Sequence, residues 1–213
     1  MEMNRMKWNQ IPLGPLQTNC YLLSNDQECI IFDPGEEGSK LIQLIQQKKL
    51  KPIAILLTHA HFDHIGALDE IRDFYNIPAY LHQKEEKWLV DPSLNGSKSF
   101  LAGQSMQMRP ADFLLTDETE LQLGSFVFKL FKTPGHSPGS VSYYLESERM
   151  LFSGDVLFKN SVGRTDLPGG NEAQLMKSIH QHLINLPADT IVFSGHGPVT
   201  TIEDEIASNP FLR

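Results

Sequence analysis

Apolar and polar positions alternate in short runs along the whole chain, and the period switches repeatedly between two and about four. The segment NCYLLSNDQECIIFDPG (residues 19–35) predicts two strands joined by a polar turn at Ser24 to Gln27, and SVSYYLESERMLFSGD (residues 140–155) predicts the same around Glu146 to Glu148. Each pair is followed by a helical pattern. The first is SKLIQLIQQKKL, with Ser39 as the expected N-cap; the second is NEAQLMKSIHQHLINL, with Asn171 in that role and Leu175, Ile179 and Leu183 four apart. No low-complexity linker interrupts the pattern, so it predicts a single mixed α/β domain over residues 1–213.

The two segments share a further spacing. Tyr21 precedes Asp33, and Tyr143 precedes Asp155, by the same interval; after each Asp come a helix, an apolar strand and a His, namely His59 and His196. The intervals match if Val156 to Gly170 is an inserted loop. Two similar α/β halves are therefore expected, with a site fed by both.

The apolar runs also end alike. ILLTHAHFDH, FKLFKTPGHS, RMLFSGD and TIVFSGHG each pass from a buried-strand pattern through small residues to a metal-ligand type. In α/β proteins ligands collect at strand C-terminal ends, where loops meet a rigid scaffold. Five of the eight histidines, His59, His61, His64, His136 and His196, lie at such ends. His59 and His61 are two apart and in extended backbone point to one side, whereas Asp63 and His64 follow a bend. With Asp155 this makes seven donors, too many for one tetrahedral ion and suited to two. Two divalent ions bring +4, and Asp63, Asp155 and a bridging hydroxide return −3, leaving about +1 in a pocket that would draw anions and stabilise an oxyanion. Nitrogen and oxygen donors admit zinc, iron or manganese.

Composition narrows the choice of partner. Of 213 residues 40% are hydrophobic and 21% charged, and the net charge is −8, so a nucleic-acid groove or an anionic membrane face is not expected. The N-terminus MEMNRMKWNQIPLGP has no apolar leader core and no run approaches a bilayer span, which predicts a cytoplasmic protein. Cys20 and Cys29 lie in apolar-alternating segments and are expected as two buried thiols.

GHSPG (residues 135–139) matches the serine-hydrolase elbow G-x-S-x-G, yet Pro138 follows the serine and has no N–H for an oxyanion hole. Ser137 is therefore expected to serve a tight turn that aims His136 inward.

Together, THAHFDHIG, GHSPGS, FSGD and SGHG resemble the metallo-β-lactamase superfamily, and GRTDLPGG after the Asp is most similar to its glyoxalase II-like hydrolases. The resemblance covers nearly the whole chain. It implies a four-layer αββα sandwich of two mixed β-sheets flanked by helices, with metals at one edge. It implies that His59, His61 and His136 hold one ion, that Asp63, His64 and His196 hold the other, and that Asp155 bridges, lending one oxygen to each. The two ions are expected as zinc first, then iron or manganese. The implied activity is hydrolysis of small S-acyl thioesters, with a metal-bridging hydroxide, oriented by Asp63, as nucleophile. Antibiotic hydrolysis is not expected, because metallo-β-lactamases proper commonly carry cysteine where this chain has Asp155. Typical glyoxalase II enzymes add a C-terminal helical domain to bind glutathione; here Arg213 comes soon after His196, so those contacts do not carry over.

Asp33 in FDPGEEG either supports the metal loop from behind, as the resemblance implies, or caps a turn. Arg164 either clamps a substrate carboxylate or pairs with Asp166. Residues 92–110, with Phe100, Met106 and Met108, form either a substrate-covering loop or a surface excursion. His82, His180 and His182 stay outside the metal shell. Two alternatives remain: a persulfide dioxygenase of the same fold, with one iron on His59, His136 and Asp155, and a metal-dependent regulatory module without turnover.

Overall fold

The structure is a computed structural model that describes residues 6–213; the first five residues of the N-terminal stretch expected to lack a leader lie outside the described residues. The chain divides into two compact units, one of residues up to Leu81 with Glu86–Leu114, the other of His82–Glu85 with Leu115–Arg213.

The first unit carries a six-stranded mixed sheet of β1 (Lys7–Leu13), β2 (Thr18–Ser24), β3 (Glu28–Phe32), β4 (Lys51–Leu56), β5 (Ala79–His82) and β6 (Phe113–Leu115), in that spatial order. β2 and β3 pair antiparallel across the expected Ser24 to Gln27 turn. β3 and β4 are parallel, joined by helix α1 (Gly38–Gln47), so Asp33 and Thr58 leave neighbouring strand ends; Asp33 N donates to Leu56 O at 3.3 Å. Leu41, Ile42 and Ile45 of α1 are buried in one cluster with Ile31, Ile55 and Leu57, each such side chain contributing roughly 1.5–3 kcal/mol. The helix starts two residues early. Its N-cap is Glu37, in the left-handed region, and Ser39 instead donates its hydroxyl to Glu70 at 2.7 Å, because a competing acid is within reach. Helices α2 (Phe62–Ile65) and α3 (Leu68–Tyr75) follow β4, and α4 (Ser97–Phe100) lies in the 92–110 segment. That segment is anchored: Asn95 donates to Trp88 O and Met106 O at 3.0 Å, and Met106 and Met108 pack on the core, leaving Phe100 as its exposed aromatic.

The second unit carries the other mixed sheet. Its chain order is β7 (Glu120–Leu123), β8 (Phe126–Lys132), β9 (Val141–Leu145), β10 (Met150–Gly154), β13 (Ile191–Ser194) and β14 (Thr200–Thr201), and its spatial order is β14-β13-β10-β9-β8-β7. β9 and β10 pair antiparallel, and β10 and β13 pair parallel through α5 (Glu172–Ser178). This repeats the connectivity of β2, β3, α1 and β4, as the Tyr-to-Asp spacing predicted, and Asp155 and His196 leave adjacent parallel strands as Asp33 and His59 do. The stretch treated as an insertion, residues 156–170, holds the small hairpin β11 (Leu157–Phe158) and β12 (Ser161–Val162). Asn171 caps α5 by accepting from Gln174 N at 2.9 Å, and the helix runs on as a π turn over Ile179–Leu183 with Leu175, Ile179 and Leu183 buried. Helix α6 (Ile202–Ser208) follows β14. Among the described residues no helix is long and apolar enough to cross a membrane.

Candidate metal centre

In the first unit four donors lie just past β4. His59 and His61 leave the strand in non-helical backbone with ring centroids 4.8 Å apart, and His59 and His64 stand 4.1 Å apart. Asp63 and His64 occupy the short helix α2. His59, His61 and His64 are at most 4% exposed. Three imidazoles packed this closely repel one another if protonated, whereas neutral rings can offer their lone pairs to a cation.

The ring tautomers follow from their partners. Thr58 donates its backbone N–H and its hydroxyl to Asp33, at 2.8 and 2.7 Å. That hydroxyl has one proton and gives it to Asp33, so its 3.1 Å contact with His59 Nδ1 requires the ring to donate. Asp33 Oδ2 also meets His64 Nδ1 at 3.1 Å, where a carboxylate can only accept. Both rings thus carry a proton on Nδ1, which leaves the lone pair on the buried Nε2, as in metal-ligating histidines. Asp33 thus ties Thr58 and His64 together and does more than cap a turn. Thr18 fixes the last donor of this unit, giving its hydroxyl to Asp63 Oδ2 at 2.7 Å.

The second unit supplies three donors from three loops. His136 sits in the β8–β9 turn, Asp155 directly after β10 and His196 after β13. His136 Nδ1 donates to Arg164 O at 2.7 Å, which again leaves Nε2 as the lone-pair nitrogen. Asp155 Oδ2 faces His136 Nε2 at 3.6 Å and His196 Nε2 at 3.5 Å. In the first unit Asp63 Oδ2 faces His64 Nε2 at 3.6 Å. These separations exceed an N–H···O hydrogen bond. They match the spacing of about 3.4 Å between two ligands that each sit about 2.1 Å from one tetrahedral ion. The donors fit divalent ions, because every one is an imidazole nitrogen or a carboxylate oxygen, and His59, Asp63, His64 and His136 have outer partners in place.

A close backbone approach holds Asp155. A Cβ added to Gly163 would lie 1.8 Å from Asp155 O. Gly163→Ala is expected to push that carbonyl aside, costing about 1–3 kcal/mol by overpacking, visible as a lower thermal midpoint together with weaker metal retention.

The remaining candidates resolve simply. The Arg164 guanidinium forks on Asp166 at 2.7 and 2.8 Å, and this hydrogen bonding pulls the Asp166 carboxyl down to about 2. The Arg164 carbonyl accepts from His136 Nδ1. Ser137 is fully buried with its hydroxyl on Glu85, a turn role as expected. His82 Nδ1 accepts from Lys84 N, and burial pushes that ring's pKa down. His180 is exposed, and His182 stacks on Phe131 with ring centroids 5.5 Å apart. Cys20 and Cys29 are free and buried, and burial raises both thiols, Cys29 to about 12. Neither is a thiolate ligand. Sequence reasoning missed Thr18, Thr58, Glu85 and Gly163; of these only Thr58 had a signal, its place beside His59.

The family profile described as the metallo-beta-lactamase superfamily matches residues 13–196. The chain belongs to the metallo-beta-lactamase superfamily. It has that superfamily's α/β fold, two mixed sheets flanked by helices. It is similar to a protein of Bacillus subtilis (strain 168) called "Probable metallo-hydrolase YqgX", 55% identical over 208 residues and 98% of each chain. It is 34% identical over 204 residues, 95% of this chain and 96% of the other, to the "Hydroxyacylglutathione hydrolase GloC" of Haemophilus influenzae. Among solved superfamily structures, the BLEG-1 B3 metallo-beta-lactamase is 57% identical with a TM-score of 0.95, covering 97% of this chain and 99% of that one. TTHA1623, crystallised in a di-iron-bound form, is 39% identical with a TM-score of 0.84, covering 96% and 100%.

Proposed function

We propose that the chain is a metallo-hydrolase that holds two divalent ions and cleaves small S-acyl thioesters. The observation that carries the reading is Asp155 Oδ2, one oxygen facing imidazoles from two separate loops at 3.6 and 3.5 Å. An oxygen so placed could be shared between an ion on one imidazole and an ion on the other. In this reading His59, His61 and His136 would hold one ion, Asp63, His64 and His196 the other, and Asp155 would be shared, as the resemblance implies. Bound there, the ions would act as Lewis acids and make water nucleophilic near neutral pH. Zinc suits the donors, and the di-iron form of TTHA1623 supports iron as the second choice.

The chain's own residues do the rest. Asp33, Thr58 and Arg164 O hold a proton on each ring's Nδ1 and aim the imidazoles, and Thr18 keeps the Asp63 carboxylate turned toward His64. A thiol leaving group has a pKa of about 8.5, so thioester cleavage needs no dedicated proton donor. A substrate carboxylate could reach Arg164 only by competing with Asp166. The name of the GloC relative supports the thioester class.

The name of BLEG-1 favours β-lactam hydrolysis as a second reading, against the expectation drawn from the cysteine position. One experiment separates the readings. The chain is reconstituted separately with zinc, iron and manganese, its metal content counted, and its turnover followed on S-lactoyl and S-acyl thioesters and on a chromogenic cephalosporin. We expect two ions per chain and thiol release. Cephalosporin opening without thiol release would replace the thioester reading by the second. One iron per chain with oxygen uptake on a persulfide would replace both.

A further inference from the structure

The segment HQKEEKW (residues 82–88) is strongly polar, yet Glu85 within it is fully buried. A buried carboxylate is costly unless donors surround it, so its partners indicate what it is for. Glu85 Oε1 accepts from the Ser137 hydroxyl and, at 2.9 Å, from Gly139 N. Because Ser137 gives its only proton to Glu85, the 2.7 Å contact between the Ser137 and Ser140 hydroxyls requires Ser140 to donate. The approach is close: a Cβ on Gly139 would lie 2.8 Å from Glu85 Cγ, which explains a glycine at this position. Elsewhere the same turn is tied by Asn171 N to Gly135 O at 2.7 Å and by the Ser178 hydroxyl to Pro134 O at 2.7 Å. His136 lies between these ties. On its carboxyl side the hold comes from Glu85.

We propose that Glu85 is a positioning residue for His136: its buried carboxylate clamps the Ser137–Gly139 turn and so fixes the imidazole that faces Asp155. The proposal rests on the reading of His136 as a metal ligand. An imidazole on a hairpin turn has two soft backbone dihedrals per residue with which to stray, and one hydrogen bond from its ring to Arg164 O sets its tautomer and tilt without setting the height of the turn. The two bonds to one carboxylate oxygen set that height. The requirement is an acceptor oxygen at this place, not a negative charge.

The test uses the full chain as Glu85→Ala, Glu85→Gln and Ser137→Ala. Zinc retention against a competing chelator and the cobalt(II) absorption spectrum are measured below the unfolding transition, and thermal unfolding is measured separately. Glu85→Ala is expected to weaken metal binding roughly 10–100-fold and to alter the cobalt spectrum. Glu85→Gln keeps an oxygen for both donors and is expected to restore retention to within about threefold of wild type, a small fraction of an outer-partner effect. Ser137→Ala removes one of the two bonds and is expected to fall between them, which keeps the proposal open to test if Glu85→Ala does not fold. A Glu85→Ala protein with a lower unfolding temperature but wild-type retention and spectrum would overturn the proposal, as would a Gln variant as impaired as the Ala variant, or an unaffected Ser137→Ala. A wild-type chain that binds neither zinc nor cobalt would instead refute the metal reading itself.

Discussion

Exchange of Asp155 for alanine is expected to remove both bound metal and turnover, by more than the roughly 100-fold that loss of an outer hydrogen-bond partner costs. Its Oδ2 is the oxygen that His136 and His196 both face, so its loss strips an anionic donor from two imidazoles at once. Two divalent ions close together repel strongly, and an anionic oxygen between them is what makes the pair tolerable. Asp155→Asn separates charge from shape. It is isosteric, yet its neutral oxygen offsets none of the ions' charge, so it should fall nearly as far as alanine. Metal per chain by elemental analysis, alongside thiol release, checks both variants; an Asp155→Ala protein that keeps two ions would remove the ground for a shared-oxygen site.

How much of this was legible in the sequence depends on whether a residue's role is local. The positions of His59, His61, His136, Asp155 and His196 were legible because each sits where a buried strand runs out into a loop, and strand and loop are both written in consecutive residues. The repeated connectivity was legible for the same reason, since Tyr21 and Asp33 bracket one hairpin and Tyr143 and Asp155 another. Glu85 was not, because nothing within QKEEK distinguishes it from its exposed neighbours; its burial is decided by Ser137 and Gly139, more than fifty positions away. Thr18 beside Asp63 and Gly163 against Asp155 O are hidden likewise. The helix start at Glu37 in place of Ser39 is a smaller miss of the same kind, in which Glu70, distant in sequence, took the hydroxyl.

Asp33→Asn should be nearly as damaging as deletion of the side chain, although it changes no shape. The wild-type carboxylate accepts from three donors: Thr58 N, the Thr58 hydroxyl and His64 Nδ1. An amide offers one accepting oxygen and places an N–H₂ where the second oxygen stood. If that N–H₂ takes the Oδ2 position, His64 Nδ1 must become an acceptor, the ring proton moves to Nε2, and the ring can no longer ligate through that atom. The Thr58 hydroxyl meets the same N–H₂, must turn its proton elsewhere, and loses its hold on the His59 tautomer. If the amide flips, Thr58 N–H meets a donor instead, and a buried N–H left unsatisfied costs about 1–3 kcal/mol. Metal affinity is therefore expected to fall roughly 10–100-fold. Thr58→Val is the control: it removes only the hydroxyl between Asp33 and His59, leaves the His64 bond in place, and should cost less than Asp33→Asn. Chelator competition on both variants, with nitrogen-15 shifts of the imidazoles reporting which ring nitrogen carries the proton, tests the chain of reasoning. An Asp33→Asn protein with wild-type affinity and both protons still on Nδ1 would show that the histidines are aimed by something other than this carboxylate.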